Sequence, residues 1–321
     1  MSESLARMAH VLHPPRSHQC PPGRVRSRGW LPVLAVTAFL TSAAVAGAQQ
    51  EPVVPPTPNC SSCAEWNRPH APLRLFGNTY YVGTDGLSAL LVTSPDGHVL
   101  VDGALHESAP LIRRNIEALG FSVSDIKLIV NSHAHFDHAG GIAMLARLSG
   151  ATVAASAASA RWLQAGSSFA DDPQYGIHLL MPPVPRVRVL RDGEVVRVGA
   201  LALTAHFTGG HTPGGTTWSW RSCEGDVCRN LVYADSQTPI SADGFRFTAS
   251  RTFPGAVAAF RQGHALLERL ACDILITPHP SASDLFGRAE RGALVDGAAC
   301  RRLAATAREA LEVRLARERG N

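Results

Sequence analysis

The sequence predicts an α/β protein in which two β-sheets pack against each other and helices cover the outside. Three observations carry this. A chain of 321 residues that is 45% hydrophobic and 17% charged can bury a substantial core. Short β-rich runs broken by a few helical spacings fill its first half, and the same pattern recurs in the second. Neither a repeat nor a second linker separates the halves, so each is read as one sheet with its helices.

Taken in order, residues 73–76, 79–82, 89–93 and 98–102 read as strands, the last two separated by the turn Ser94-Pro95-Asp96-Gly97. Residues 108–119 carry Ile112, Ile116 and Leu119 at helical spacing and stop at Gly120. Residues 126–130 form an apolar strand ending in Asn131-Ser132, and 142–148 an apolar helix. In the second half, strands are expected near 186–190, 194–198, 200–206, 215–220 and 229–234, a helix near 255–270 and a strand over 273–277. A final amphipathic helix places Cys300, Leu303, Ala307, Leu311 and Leu315 on one face.

The formal charge of +4 is concentrated at the start of the chain. Residues 1–48 hold five arginines and one acid, which leaves 25 basic and 25 acidic residues beyond them. The body is neutral, and the electrostatic case for a nucleic-acid partner fails. Arg24, Arg26 and Arg28 precede an apolar run from Leu31 to Leu40, followed by small residues and Ala46-Gly47-Ala48. This is the order of a secretory signal peptide, with cleavage expected after Ala48 and export to the periplasm. A retained amino-terminal anchor is the competing reading, but the apolar run is short against the roughly 20 residues of a span. No membrane association is expected once the signal is removed. Residues 49–65 read as a flexible lead-in and 66–321 as the folded domain.

Export alters the reading of the cysteines. With Cys20 in the leader, six remain, an even number that favours disulfides in an oxidising compartment. Cys223 and Cys228 flank Glu224-Gly225-Asp226 between two strand-like runs and can staple a hairpin loop, while Cys272 and Cys300 can tie a late strand to the final helix. Cys60 and Cys63 lack the second pair of a zinc knuckle and the βαβ context of a redox motif, which leaves a local disulfide or an exposed thiol.

The chemistry begins where a buried strand ends. Ser132-His133-Ala134-His135-Phe136-Asp137-His138 packs three imidazoles and a carboxylate into six residues, and each polar ring needs a partner if buried. A divalent metal supplies one. Residues i and i+2 of an extended chain share a side, so His133 and His135 can grip one ion while Asp137 and His138, starting the next turn, face another. Two more histidines occupy strand-end loops: His211 in Gly209-Gly210-His211-Thr212-Pro213-Gly214, and His279 in Thr277-Pro278-His279-Pro280. The other histidines of the mature chain (70, 98, 106, 178, 206, 264) lack such company, with His206 the one nearest in sequence to His211.

The pattern His133-x-His135-x-Asp137-His138, then His211, then His279, resembles the signature of the metallo-β-lactamase superfamily. The stretches around Gly210-His211-Thr212-Pro213-Gly214-Gly215, Val232-Tyr233-Ala234-Asp235-Ser236 and Ile276-Thr277-Pro278-His279-Pro280 are similar to the third subclass of the class B β-lactamases. The resemblance implies a four-layered αβ/βα sandwich of two mixed sheets flanked by helices. It also implies zinc-dependent hydrolysis of the β-lactam amide bond of penicillins, cephalosporins and carbapenems by water activated on the metal, and hence antibiotic resistance. Two zinc ions per chain are implied, one held by His133, His135 and His211 and the other by Asp137, His138 and His279. Asp137 is then also the catalytic residue that orients the attacking water. Ser236 falls where another subclass has a cysteine ligand and where glyoxalase-like and lactonase-like relatives have a metal-bridging Asp. With Thr238 it matches the hydroxyls that hold the substrate carboxylate, while Asp235 is expected on the opposite side of the extended chain. Pairings of Cys223 with Cys228 and Cys272 with Cys300 match disulfides of such proteins. Asp85 stands where some of them have the partner of an amino-terminal cysteine, which leaves the Cys60 and Cys63 pairing open. Asp102 is either an orienter of the metal ligands or a turn Asp before Gly103. The partner is a small-molecule β-lactam and the chain is expected to be a monomer. Segments near 162–180 and 240–253 are expected to rank the drug classes. The competing functions are another hydrolase of the superfamily, acting on a lactone, thioester or phosphodiester, and a non-catalytic zinc-binding protein.

Overall fold

The computed structural model of the protein describes residues 60–177 and 180–320. The expected signal peptide, the lead-in as far as residue 59, and His178 lie outside the described residues. The described chain opens with a single helical turn, α1 (Cys63–Trp66), and the pair left open by the sequence, Cys60 and Cys63, is joined as a local disulfide at its start.

The first sheet takes β1 (Leu73–Phe76), β2 (Thr79–Tyr81), β3 (Leu90–Val92) and β4 (His98–Val101) as an antiparallel meander. The chain then passes through α2 (Ala109–Ala118) to β5 (Ile126–Val130), a one-turn helix α3 (Phe136–Ala139) and α4 (Ile142–Ser149). β6 (Thr152–Ala155), α5 (Ala157–Ala165) and β7 (Val187–Val189) follow, with β4 to β7 all parallel. The second sheet is built from β8 (Val195–Val198), β9 (Leu201–Phe207), β10 (Thr216–Glu224) and β11 (Val227–Tyr233), antiparallel throughout. After α6 (Ala256–Arg269), β12 (Ile274–Ile276) pairs parallel to β11, and α7 (Leu285–Glu290) and α8 (Ala299–Gly320) end the chain. Both sheets are mixed, as the resemblance implied.

The period of two along each strand assigns the layers. Leu90, Val92, Leu128 and Val130 face the second sheet, where they meet Leu203, Trp218, Leu231, Tyr233, Ile274 and Ile276. Their neighbours Leu91 and Ile129 face the other way, under Ile112 and Ile116 of α2 and Leu145 of α4. On the second sheet Val232 and Leu275 turn outward, against Leu267 of α6 and Ala299, Cys300 and Ala304 of α8. The two tryptophans between the sheets keep their indole N–H groups paired, Trp218 with the Asn131 carbonyl and Trp220 with the Thr79 hydroxyl, both at 3.0 Å.

Several elements differ from the sequence reading. β6 and α5 are not foreseen, because Thr152-Val153-Ala154-Ala155 has no alternation and α5 is mostly small residues. β10 and β11 run further than expected, so Cys223 and Cys228 are bonded directly across the hairpin and only Gly225 and Asp226 turn. Cys272 and Cys300 are bonded as well, tying the approach to β12 to the start of α8. On α8 the buried stripe is Cys300, Ala304, Ala307, Leu311 and Leu315, with Leu303 only partly covered.

Candidate metal centre

Parallel strands send their carboxyl ends to one edge of a sheet, where loops meet. The chain leaving β5 carries Asn131 to His138, that leaving β11 carries Asp235 to Thr238, and that leaving β12 carries Thr277 to His279. The β9–β10 loop, Thr208 to Gly215, meets them and is seated by a hydrogen bond from Thr216 N–H to the Ser132 carbonyl of 2.7 Å. Two glycines permit the approach. Gly210 has φ of 136° with the Phe260 ring where a side chain would go, and a Cβ on Gly215 would lie 2.2 Å from the Asp235 carboxylate.

Six predicted residues converge in two groups. His133, His135 and His211 present one ligand atom each within 4.8 Å of one another, and so do Asp137, His138 and His279. The local chain explains the split. His135 is extended (φ −76°, ψ 152°) and caps α3, so His133 and His135 leave an extended segment while Asp137 and His138 sit on the helical turn. The rings of His133 and His138 lie 4.5 Å apart by centroid and those of His138 and His279 4.8 Å apart, so the two groups adjoin.

The outward nitrogens are tied down. His133 Nδ1–H donates to Asp235 (2.7 Å), His135 Nε2–H to Asp172 (3.2 Å), His211 Nδ1–H to the Thr238 carbonyl (2.9 Å) and His279 Nδ1–H to the Gly86 carbonyl (3.1 Å). Each bond fixes which ring nitrogen carries the proton and leaves the inward one as a lone-pair donor. In the second group, Asp137 Oδ2 lies 3.2 Å from His138 Nε2 and 3.4 Å from His279 Nε2. Asp137 Oδ1 and His138 Nδ1 are buried with no hydrogen-bond partner among the described residues.

Burial sets the electrostatics. It pushes His211 down to about 3, with His133 adding to the shift, and it holds His138 below the usual histidine range against the pull of Asp137. Burial would also raise the Asp137 carboxyl, but His138 and His279 outweigh it and hold that group well below the usual carboxylate range. For His279 the hydrogen bond and charge of Asp137 win over burial and raise the imidazole. Burial lifts Asp235 well above the ordinary range, a shift that a cation beyond the His133 ring would oppose. Imidazoles, an ionised carboxylate and no thiolate form a donor set that suits zinc.

The remaining predicted residues have definite places. Asp102 is no simple turn residue. It accepts from Ser132 N–H (2.7 Å), Ser132 hydroxyl (2.6 Å), Asn131 amide (3.2 Å) and Tyr233 hydroxyl (2.8 Å), and so anchors the segment that leads into His133. Burial pushes its carboxyl up to about 6. Ser236 and Thr238 line, with His279, a cavity of about 280 Å³. Asp235 turns instead to His133, as alternation predicted. His206 belongs to neither group and meets Ser219 on the neighbouring strand. Asp172 was not anticipated. It stands 37 residues from its partner in an irregular segment after α5, and its only signal is Asp-Pro turn chemistry. Gln174, two residues on, places its amide nitrogen 3.4 Å from His211 Nε2.

Comparison with known proteins agrees with this geometry. The family described as Metallo-beta-lactamase superfamily matches residues 82–227. The structure of the Rm3 metallo-beta-lactamase is 53% identical, with 82% of this chain and 100% of that chain covered at a TM-score of 0.80. MEM-A1, described as a subclass B3 metallo-beta-lactamase from a soil metagenome library, is 48% identical, with coverage of 79% and 99% and a TM-score of 0.78. MIM-1 from Novosphingobium pentaromativorans is 46% identical, with coverage of 79% and 93% and a TM-score of 0.76. The chain belongs to the metallo-β-lactamase superfamily, among the class B β-lactamases of the third subclass.

Proposed function

We propose that the protein hydrolyses the amide bond of β-lactam antibiotics with two zinc ions per chain, one held by His133, His135 and His211 and the other by Asp137, His138 and His279. The observation that carries this is the pair of adjoining three-residue groups, built from His and Asp alone, beside a cavity edged by the Ser236 and Thr238 chain. Bound zinc would supply Lewis acidity, lowering the pKa of water toward about 7 and polarising the amide carbonyl.

The chain's own residues do the rest. Asp137 stays ionised, and its Oδ1, without a hydrogen-bond partner among the described residues, accepts a hydrogen bond from the attacking water and aims it at the carbonyl carbon. Ser236 and Thr238 hydroxyls hold the ring carboxylate and so fix the amide over the two groups. Asp235, Asp172 and the Thr238 and Gly86 carbonyls keep the imidazoles in one tautomer and orientation. Ser236 in place of a bridging Asp disfavours the lactone, thioester and phosphodiester readings. The export reading places the enzyme in the periplasm, and no helix among the described residues is long and apolar enough to cross a membrane. Nitrocefin turnover by the purified protein tests the assignment. Hydrolysis is expected, and turnover of a lactone or phosphodiester with none of nitrocefin would overturn it.

A further inference from the structure

The cavity beside the second group has a helix-lined wall that the hydrolytic reading does not use. One wall is the chain from Asp235 to Thr238 and another is Thr277 to His279 with Ala282. The third wall is α8, which contributes Leu303, Thr306, Ala307 and Ala310 at the spacing of one helical face. The space exists because small residues stand where larger ones would fill it, Ala282 on the loop side and Ala307 and Ala310 on the helix. Its volume of about 280 Å³ lies just below the ~300–1,000 Å³ of pockets that take a whole drug-sized ligand. It therefore has room for a side arm of a molecule whose body lies elsewhere.

Its charge is equally restrictive. The Asp235 carboxylate is turned away to His133, and Arg314, one turn beyond Ala310, is committed to Glu318, Ser241 and Phe245. No Lys or Arg lines the cavity, so away from the metal group an ionised arm would lose its water without a side-chain cation to pair it, whereas an apolar one gains by burial. Continuity names the occupant: Ser236 and Thr238 border this cavity and are also the residues assigned to the substrate carboxylate.

We propose that the cavity between α8 and the loops bearing Ser236 and His279 receives an uncharged, apolar substituent carried on the carboxylate-bearing ring of the β-lactam, and that Ala282 and Ala310 set how large it can be. This rests on the hydrolase reading and adds a specificity pocket to it.

The test uses the zinc-loaded protein and two cephalosporins with the same acylamino arm. One is unsubstituted on the ring carbon beside the carboxylate, and the other bears there a bulky neutral arylethenyl group, which is joined through carbon and stays attached when the ring opens. Ala310→Leu fills the pocket from the helix with a good helix former, and Ala282→Leu fills it from the exposed loop, so one variant remains if the other is unstable. Each should lower the ratio of kcat/KM for the substituted over the unsubstituted compound by about 10-fold or more, mainly through KM. Calorimetry should show the hydrolysed arylethenyl product binding correspondingly more weakly. A ratio within about twofold of the parent in a variant with parental zinc content and Tm removes the pocket. Turnover of neither compound by the parent removes the hydrolase reading, and the pocket with it.

Discussion

Glu318 lies near the end of α8 in an arginine-rich stretch, Arg314 to Arg319, that reads as a solvated face, yet it is only 6% exposed. Its carboxylate accepts from Phe247 N–H (3.0 Å), Thr248 N–H (2.9 Å), Thr248 hydroxyl (2.8 Å) and Arg314 Nε–H (2.7 Å). Arg314 donates in turn to the Ser241 hydroxyl (2.7 Å) and the Phe245 carbonyl (2.8 Å). The end of α8 thus holds the segment from Ser241 to Thr248, whose Ala242 N–H reaches the Pro173 carbonyl at 2.8 Å, between Asp172 and Gln174. Glu318→Ala removes the acceptor of four donors. A hydrogen bond to a charged group contributes about 1.5–3 kcal/mol, water can replace those of exposed Thr248 in part, and the expected loss is therefore about 3 kcal/mol. Burial raises the Glu318 carboxyl, but the bonds from Thr248, Arg314 and Phe247 outweigh it and leave it below the usual glutamate range. A group depressed on folding stabilises the protein fully above its unfolded pKa, about 4.3 for Glu. That contribution is lost as pH falls through the folded value. Urea unfolding of the zinc-saturated protein, followed by tryptophan fluorescence, should show the full difference between parent and variant at neutral pH and a shrinking one in acid. A neutral-pH difference below about 0.5 kcal/mol, or one that persists undiminished through acid, would refute the reasoning.

Three further outcomes are expected. Asp235→Asn should weaken zinc at the group containing His133 by about 10- to 100-fold, read by competition with a chromogenic chelator, while the other group changes less; equal weakening of both contradicts it. Ser236→Ala should raise KM with zinc content near that of the parent, whereas loss of an ion would make Ser236 a metal residue. Replacing Cys272 and Cys300 together by Ser opens a loop with a sequence separation of 28, for which chain entropy gives about 3 to 4 kcal/mol as an upper figure. Calorimetry should show a lower Tm and elemental analysis a looser second ion, and an unchanged Tm would argue against a stabilising bridge.

What was legible in the sequence follows from where local pattern and tertiary role coincide. The strands near 89–93 and 126–130 show themselves as short apolar runs, the pattern of a sheet covered on both faces, and the His133 to His138 run declares itself because its members are neighbours in the chain. His211 and His279 were found because each sits in a strand-end loop with Gly or Pro. Asp235 was visible only as the residue that must face away from Ser236, and its bond to His133 spans 102 positions. Asp172 and Glu318 gave no comparable signal. The first lies in an irregular loop and the second resembles any exposed acid among arginines. β6 was hidden by alanine, whose small side chain lets the neighbouring elements approach but shows no period.

The most direct measurement is zinc titration of the chelator-stripped protein, with bound metal and nitrocefin hydrolysis followed together. Binding should saturate at two zinc ions per chain, with hydrolysis absent at the start and restored as zinc is added. Undiminished hydrolysis by protein shown to contain no zinc, or saturation at fewer than two zinc ions per chain, would contradict the account.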